Sequence, residues 1–491
     1  MVRLTFLQRS FLLQSSNHIM EKLSKCNLYD DAIIKLNSLI SNAKSIEEAK
    51  KSRMMTQNNS LPLMKTYFEA CNININDLDK LNVIHIAGSK GKGTTSAMIE
   101  ALLRDKGYKT GFFSSPHLVN VTERIRINGE EIDKITFSKY FFDIYNRLVE
   151  GNIQPLPGYF RFLTILAYYT FLSEKIDVAI MEVGIGGEYD STNIIRKPIV
   201  CGITSLDYDH TSLLGNTLKE IAWHKSGIMK ESVPCITIPQ ENEVMDALHK
   251  RSYEKKCKLI VAREMDERLI DYLQLTGKHQ LTNLSLATKI AQKWEEEMVT
   301  NNKIIVNNHT KNVQSVEYLQ KLFKSFLWRG RTQKVVTNGI LYMLDGAHTQ
   351  KSIEVCCDWF MNDVTDDENG RCIKVLLFTT TGERNGDQFL EVLKKCNFDL
   401  VLFSSTIVKL DTTTSNDKPK LKSIVNDKCQ ENKEIWEKIG DGAPSFTFPA
   451  IENCVKFINT LRNTTPDDVE IRVLVTGSLH LVGGVLSIIE K

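Results

Sequence analysis

The segment Val83-Ile84-His85-Ile86-Ala87-Gly88-Ser89-Lys90-Gly91-Lys92-Gly93-Thr94-Thr95 decides how the rest of the chain is read. Its start, Asn82–Ile86, is a short β-branched run and predicts a buried strand. The stretch that follows, Thr95–Lys106 closed by Gly107, predicts a helix. Between them Gly88, Gly91 and Gly93 let backbone N–H groups crowd around phosphate oxygens, and the helix N-terminus adds partial positive charge. Lys92 is placed to reach terminal phosphates, and the Thr94 hydroxyl to hold Mg²⁺. The match to G-x-x-x-x-G-K-[ST] is imperfect: Ile86 stands where the first glycine belongs, and Gly93 displaces the hydroxyl residue by one. A glycine turn with surface lysines is the competing reading, and the flanking strand and helix favour nucleotide binding.

Outward from this loop the chain alternates between strand and helix. A helical opening, Tyr29 to Ala43, carries Ala32, Ile33, Leu36, Leu39 and Ile40 at helical spacing. Asp177–Met181 and Pro198–Thr204 read as further buried strands, so the fold class is α/β with a mainly parallel sheet, a P-loop NTPase-like domain. Thr300–Gln314 is polar and reads as a loop or insertion before a boundary. Alternation restarts at Leu341, with strands at Leu341–Leu344, Lys374–Thr379, Asp399–Phe403 and Ile471–Val475 and helices at Thr349–Phe360 and Gln388–Lys395. These predict a smaller Rossmann-like α/β domain. The joint falls at Leu327–Arg331, which divides the chain into 1–28, 29–328 and 329–491. Asp411–Gln430 is polar and reads as a mobile surface loop.

Composition excludes several classes. The 491 residues exceed what one core usually organises, and 62 basic residues nearly balance 60 acidic ones, so no basic field points to nucleic acid. No apolar run is long enough to span a bilayer. Eleven cysteines show one adjacent pair, Cys356 and Cys357, and no C-x-x-C spacing, which indicates free thiols in a reducing compartment. Residues 1–20 contain Arg3 and Arg9, several serines and no acid before Glu21, with Leu4, Leu7 and Phe11 at helical spacing. That pattern fits an organelle transit segment or an unstructured start, and Met20 is an alternative first residue. The expected address is cytoplasmic, mitochondrial or both.

Three further places draw attention on residue chemistry. Glu182 follows the apolar run Val178–Met181, so its carboxylate lies at the C-terminal end of a strand, where ligands gather in open α/β sheets. Asp207, Asp209 and His210 follow another strand, and a hard cation would on general grounds select the aspartates. Lys225 closes a short helix that Thr217 and Glu220 begin as a capping box and Gly227 ends, where a cation complements the helix dipole.

The phosphate loop, Gly111–Leu118, Glu123–Gly129, Met181–Gly187 with Asp190–Asn193, Asp209–Gly215, Ile221–Gly227, Gly330–Gln333, Leu344–Thr349 and Val475–Gly484 form an ordered series. The series resembles the folylpolyglutamate synthases of animal type, in the Mur ligase superfamily of ATP-dependent amide-forming enzymes. The resemblance implies transfer of L-glutamate to the γ-carboxylate of a reduced folate through an acyl phosphate, with ATP as co-substrate. It implies Mg²⁺ on Thr94, Ser115, Glu182 and His210, a carbamylated Lys225 holding a second metal, and a monovalent cation. Arg331, Asp345 and Asn283, the last beside His279 and Gln280, are implied at the nucleotide, and Ser114–Gly129 at the folate. His348 and Ser352 are implied at the incoming glutamate or the reacting phosphate, and Lys92, Lys225 and His348 as catalytic. His224 stands where the resemblance leads one to expect Gln. Alternatives are a dihydrofolate synthase acting on dihydropteroate, a cell-wall ligase, and a nucleotide-binding regulator without catalysis. The expected partners are these small molecules, and the expected state is a monomer.

Overall fold

A computed structural model describes residues 28–39, 60–272, 278–301, 315–324, 326–364, 372–381, 386–409, 422–439 and 442–490. The first sheet has strands β1 (Ile84–Ala87), β2 (Thr110–Phe113), β3 (Ile125–Ile127), β4 (Glu130–Glu131), β5 (Val178–Glu182), β6 (Val200–Ile203), β7 (Cys235–Thr237) and β8 (Leu259–Val261). They lie in the order β4-β3-β2-β5-β1-β6-β7-β8. From β2 to β8 all pairings are parallel, and β3 and β4 add an antiparallel edge. The inner strands β1, β2, β5 and β6 are buried along their whole length, which is why β5 and β6 read as apolar runs rather than alternating ones; the polar side chain within β1, His85, is buried with its Nε2 2.8 Å from Thr192 Oγ1. β1 lies between β5 and β6, and the chain builds outward on both sides of it, so a crevice opens at its C-terminal end.

Helices cover both faces. Lys92–Asp105 packs with Lys278–Thr300, where Trp294 is fully buried and its indole N–H donates to the Asn82 carbonyl at 2.7 Å. On the other face Ser60–Ala70, Lys134–Glu150 and Tyr159–Glu174 enclose an aromatic core around Phe68, Phe141, Phe162 and Tyr168.

The second sheet has β9 (Gln333–Thr337), β10 (Ile340–Leu344), β11 (Cys372–Phe378), β12 (Leu400–Ser404), β13 (Ser445–Phe448) and β14 (Glu470–Thr476), in the order β13-β12-β11-β14-β10-β9. Only the edge strand β9 is antiparallel. Gln350–Val364, Gly386–Leu393 and Lys422–Ile439 share a core on one face, and Ile451–Thr464 and Leu479–Ile489 share another on the opposite face.

Three expectations need correction. The helix after the phosphate loop begins at Lys92, three residues before Thr95, because Gly91 takes a left-handed φ of 83° and turns the chain directly into the first helical turn. Residues 422–430 belong to the helix Lys422–Ile439, not to a loop; its anchors Cys429, Asn432 and Trp436 are buried at helical spacing, too sparse to stand out in a polar stretch. Gly227 does not stop its helix in a left-handed turn: Ser226 caps it in right-handed geometry, and Ser226–Ile228 continues as a 3₁₀ turn. The opening helix spans 28–38. Residues 1–27, 40–43, 302–314 and 411–421 lie outside the described residues.

The two sheets meet through a plug. Leu118, from the loop after β2, is 8% exposed and sits in the core of the second sheet with Val482 and Leu481. The helix Leu479–Ile489 comes so close that a Cβ built on Gly483 would stand 1.9 Å from the Leu118 carbonyl oxygen. An alanine in an exposed helix would gain about 1 kcal/mol over glycine. Here overpacking should win, and we expect Gly483→Ala to lose about 1–3 kcal/mol and to lower the thermal midpoint. An unchanged or raised midpoint in a thermal denaturation scan would show that this seat is not tight.

Candidate active site

The phosphate loop is fixed from below before any ligand is considered. The N–H groups of Ser89 and Lys90 donate to the Ser205 carbonyl at 2.9 and 3.1 Å, and Ser89 Oγ donates to the Asp207 carbonyl at 2.8 Å. These bonds tie the loop to the chain leaving β6. Gly91 has no room for a side chain: a Cβ would lie 2.2 Å from Asn283 Oδ1. Asn283 is buried, donates to Gln280 Oε1 at 3.1 Å, and accepts from Thr95 Oγ1 at 3.4 Å. Gln280 in turn contacts His279 Nε2 at 2.8 Å.

The Gly88 carbonyl is the electrostatic centre. It accepts from Lys92 Nζ at 3.0 Å and from Lys225 Nζ at 2.8 Å, so two ammonium groups converge on one oxygen. Lys225 is only 2% exposed. Burial, with the Lys92 charge added to it, lowers its proton affinity well below that of an ordinary lysine. The expected capping box supports it: Thr217 Oγ1 accepts from the Glu220 N–H, and the Glu220 carboxylate accepts from the Thr217 N–H.

Glu182 ends β5 and is buried; its Oε2 accepts from the Ser115 N–H at 3.0 Å. Burial raises its pKa, while Lys92, the Ser115 N–H, Arg331 and Arg124 pull the other way. His210 is exposed, adopts φ 51° and leads into the short helix Thr211–Leu214. Its Nε2 lies 3.8 Å from Asp209 Oδ1, and Asp209 Oδ2 lies 3.5 Å from Lys90 Nζ. Burial works against the Asp209 charge, but Lys90, His210, His348 and Lys92 outweigh it and bring its pKa to about 2. Asp209 therefore stays ionised through the neutral range.

From the second sheet come Arg331, Asp345 and His348. The Gly346 N–H donates to the Gly330 carbonyl at 3.1 Å, pinning the Arg331 turn to the end of β10. Asp345 Oδ2 accepts from the Thr332 N–H at 2.8 Å. Burial raises the Asp345 pKa and lowers that of Arg331, while the attraction between them opposes both shifts; Glu182 also attracts Arg331. His348 Nδ1 donates to the Gly346 carbonyl at 2.7 Å, which places its ring proton on that nitrogen. Ser352 Oγ accepts from the N–H groups of His348 and Thr349, so this hydroxyl caps its own helix.

Gly91, Lys92, Gly93, Thr94, Ser115, Glu182, His210, Arg331 and His348 line one cavity of about 490 Å³ between the sheets. Gly88, Lys225, Asn283 and Asp345 stand behind its wall. The sequence reading missed several contributors. Lys90, Phe160 and His480 also line the cavity. Glu123 accepts from the N–H groups of Leu118, Val119 and Asn120 at 2.6, 2.7 and 2.9 Å, which locks the loop carrying Ser115. Trp328 stacks near Phe112 at 5.7 Å with Arg126 over it at 5.1 Å, so the passage between the sheets is anchored beside Gly93. Glu123 and His480 fall within segments quoted above, but nothing in their spacing marks the contacts they make. Chemically, the cavity offers helix-N-terminal N–H groups, several cations and two buried carboxylates, Glu182 and Asp190, with walls from both sheets. That combination suits a polyphosphate and a metal-assisted transfer.

No family model matches the chain. It is 35% identical, over 541 aligned residues, to the mitochondrial folylpolyglutamate synthase of Bos taurus, covering 94% of this chain and 92% of the bovine protein. It is 36% identical, over 540 aligned residues and with the same coverage, to the Homo sapiens protein of the same name. The fold matches the crystal structure of Mycobacterium tuberculosis folylpolyglutamate synthase complexed with ADP and AMPPCP, with a TM-score of 0.69, 20% identity, and coverage of 91% of this chain and 99% of that one. The structural likeness speaks for the fold alone, and the near full-length sequence identity settles the family: the chain belongs to the folylpolyglutamate synthases.

Proposed function

We propose that this protein uses ATP to join L-glutamate to the γ-carboxylate of a reduced folate, extending a polyglutamate and releasing ADP and phosphate. The observation that carries the reading is one cavity lined by the phosphate loop and Glu182 from the first sheet and by Arg331 and His348 from the second. A carboxylate resists attack by an amine because its leaving group would be oxide. Transfer of the γ-phosphoryl group onto the folate carboxylate gives an acyl phosphate; the glutamate amine then adds to its carbonyl, and phosphate leaves with the oxygen that the carboxylate supplied. Such catalysis is mainly positioning and charge neutralisation.

The chain's residues divide the work as follows. The loop Gly88–Thr94 and the N-terminus of its helix hold the phosphates, Lys92 leaves the Gly88 carbonyl to follow the transferring group, and Arg331 approaches from the other side. Asp345 and Asn283 support the nucleotide from behind. His348 is placed for the incoming glutamate or the departing phosphate, and Ser114–Gly129 for the folate. Units 29–328 and 329–491 close on the reactants and keep water from the acyl phosphate.

Thr94, Ser115 and Glu182 offer oxygen donors on one cavity wall, a set that suits Mg²⁺, with His210 as a fourth group. Bound there, Mg²⁺ supplies charge neutralisation to the phosphates. Lys225, buried and with lowered proton affinity, gives up its proton more readily than an ordinary lysine, and the neutral amine is the form that carbon dioxide carbamylates. The bovine and human relatives carry mitochondrial names, and the basic, acid-poor start of this chain fits the same address, with Met20 giving a cytoplasmic form. Among the described residues no helix is long and apolar enough to cross a membrane.

Purified protein given Mg-ATP, labelled glutamate and tetrahydrofolate should yield a ladder of added glutamates by mass spectrometry, and dihydropteroate should remain unextended. Extension of dihydropteroate alone would assign the synthase activity instead, and ATP binding without extension of either acceptor would favour the regulator. Glu182→Gln should lower turnover by about 10²–10³-fold with ADP affinity retained; unchanged turnover would remove the metal role. Intact-mass analysis should show one carbon dioxide added at Lys225. Because only the neutral amine reacts, that fraction should rise as the pH climbs through the lowered pKa. A mass that stays unmodified in bicarbonate at every pH would reject the carbamate.

A further inference from the structure

A second cavity, larger than the catalytic one, lies apart from it. It measures about 970 Å³ and lies between the helix Ser60–Ala70, the 3₁₀ turn Ile75–Leu81 and the turn Ser191–Ile194. It shares no lining residue with the catalytic cavity. Its volume is that of a site for a drug-sized molecule.

Its chemistry is one-sided. Lys65, Arg196 and Lys230 line it against a single carboxylate, Glu69. Glu69 is 3.8 Å from Lys65, and Arg196 is engaged with Asp79 at 2.7 Å. Lys230 is different: it is half-buried, and its Nζ makes only a long 3.4 Å bond to the Asn193 carbonyl. Beside it Asn193, 4% exposed, has a buried Oδ1 without a hydrogen-bond partner. A buried acceptor left unsatisfied costs about 1–3 kcal/mol, and the carboxylate within electrostatic reach of Lys230, Glu188, is already paired with Arg251 and Lys255. Opposite these groups Leu61, Ile73, Ile75 and Ile194 present apolar surface. The needs the cavity leaves open are an anion for Lys230 and an apolar body for the wall; Asn193 Oδ1 is closed off from the cavity.

We propose that this cavity is a second binding site, for an amphipathic organic anion, and that it communicates with the catalytic cavity through Asn193. The communicating parts are short. Asn193 Nδ2 donates to the Glu188 carbonyl at 3.0 Å and to the Gly227 carbonyl at 3.3 Å, two residues beyond Lys225. The same turn begins at Asp190, which lines the catalytic cavity and accepts from the Ile185 N–H at 3.1 Å and from Thr192 Oγ1 at 2.6 Å. A ligand that draws on Lys230, whose Nζ donates to the Asn193 carbonyl, therefore pulls on the backbone that holds both the glycine loop after Glu182 and the end of the Lys225 helix. Linkage then requires that nucleotide and anion alter each other's affinity by the same factor.

The probe is anilinonaphthalenesulfonate, titrated into the full chain with ADP saturating, so that the nucleotide site is filled. Hydrogen exchange should show protection at 61–76 and 191–196 on addition of the dye. Lys230→Met should weaken dye binding by about tenfold or more, the loss expected for a hydrogen bond to a charged group. Leu61→Glu, in the first turn of its helix where a carboxylate is tolerated, should weaken it comparably and serves if Lys230→Met does not fold. ADP affinity without dye should be unchanged in both variants, and in the wild type the dye should shift it. Protection confined to the catalytic cavity, or equal dye affinity in wild type and Leu61→Glu, would overturn the site. Dye binding at 61–76 with ADP affinity unmoved would overturn the coupling.

Discussion

Two ammonium groups share one carbonyl oxygen, and the rest of the site is arranged around that fact. Lys92 comes from the turn immediately after Gly88, whereas Lys225 arrives from 137 residues further along the chain. Their mutual repulsion, in a place where Lys225 has almost no water, is tolerable only because the Gly88 dipole faces both and Asp209 and Asp190 lie within electrostatic reach of Lys225. The arrangement is poised for negative charge. A polyphosphate entering the loop would draw Lys92 away, and a carbamate would convert Lys225 from one of two competing cations into an anion.

That geometry exists because of strand order. β1 delivers the loop, β5 on one side delivers Glu182, and β6 on the other delivers the segment with Asp207, Asp209 and His210. Neighbouring parallel strands end at the same level, so three functional segments far apart in sequence reach one edge. The second sheet supplies the remaining wall and is held there by Leu118, which leaves the first sheet to become part of the second one's core. Glu123 fixes the loop that carries both Leu118 and Ser115, so the seat between the sheets and the floor of the cavity share one support.

Much of this was legible from residues alone. The buried strands announce themselves as apolar runs, and the glycine-rich turn between a strand and a helix needs no partner to be read as an anion site. The capping box at Thr217 and Glu220 is likewise local. What escaped the sequence depends on distance in space. Nothing around Lys225 indicates that its side chain ends at Gly88, and a lysine in a last helical turn reads as a dipole partner. Glu123 reads as an ordinary acid before a strand, not as the acceptor for three N–H groups. The helix Lys422–Ile439 hid behind its polar composition because a few buried anchors suffice when a core already exists to receive them. Ser352, read from the sequence at the glutamate or the phosphate, also accepts from two N–H groups at the start of its own helix, a contact that its spacing did not announce.

The central claim is that both halves of the cavity act on one acyl phosphate. Its most direct measurement is the fate of a heavy-oxygen label placed in the terminal γ-carboxylate of the folate. If the carboxylate is phosphorylated before the amine attacks, one labelled oxygen per bond formed leaves in the inorganic phosphate, readable by its phosphorus resonance or its mass. Turnover that releases unlabelled phosphate, with the label absent from every phosphate product, would contradict the account.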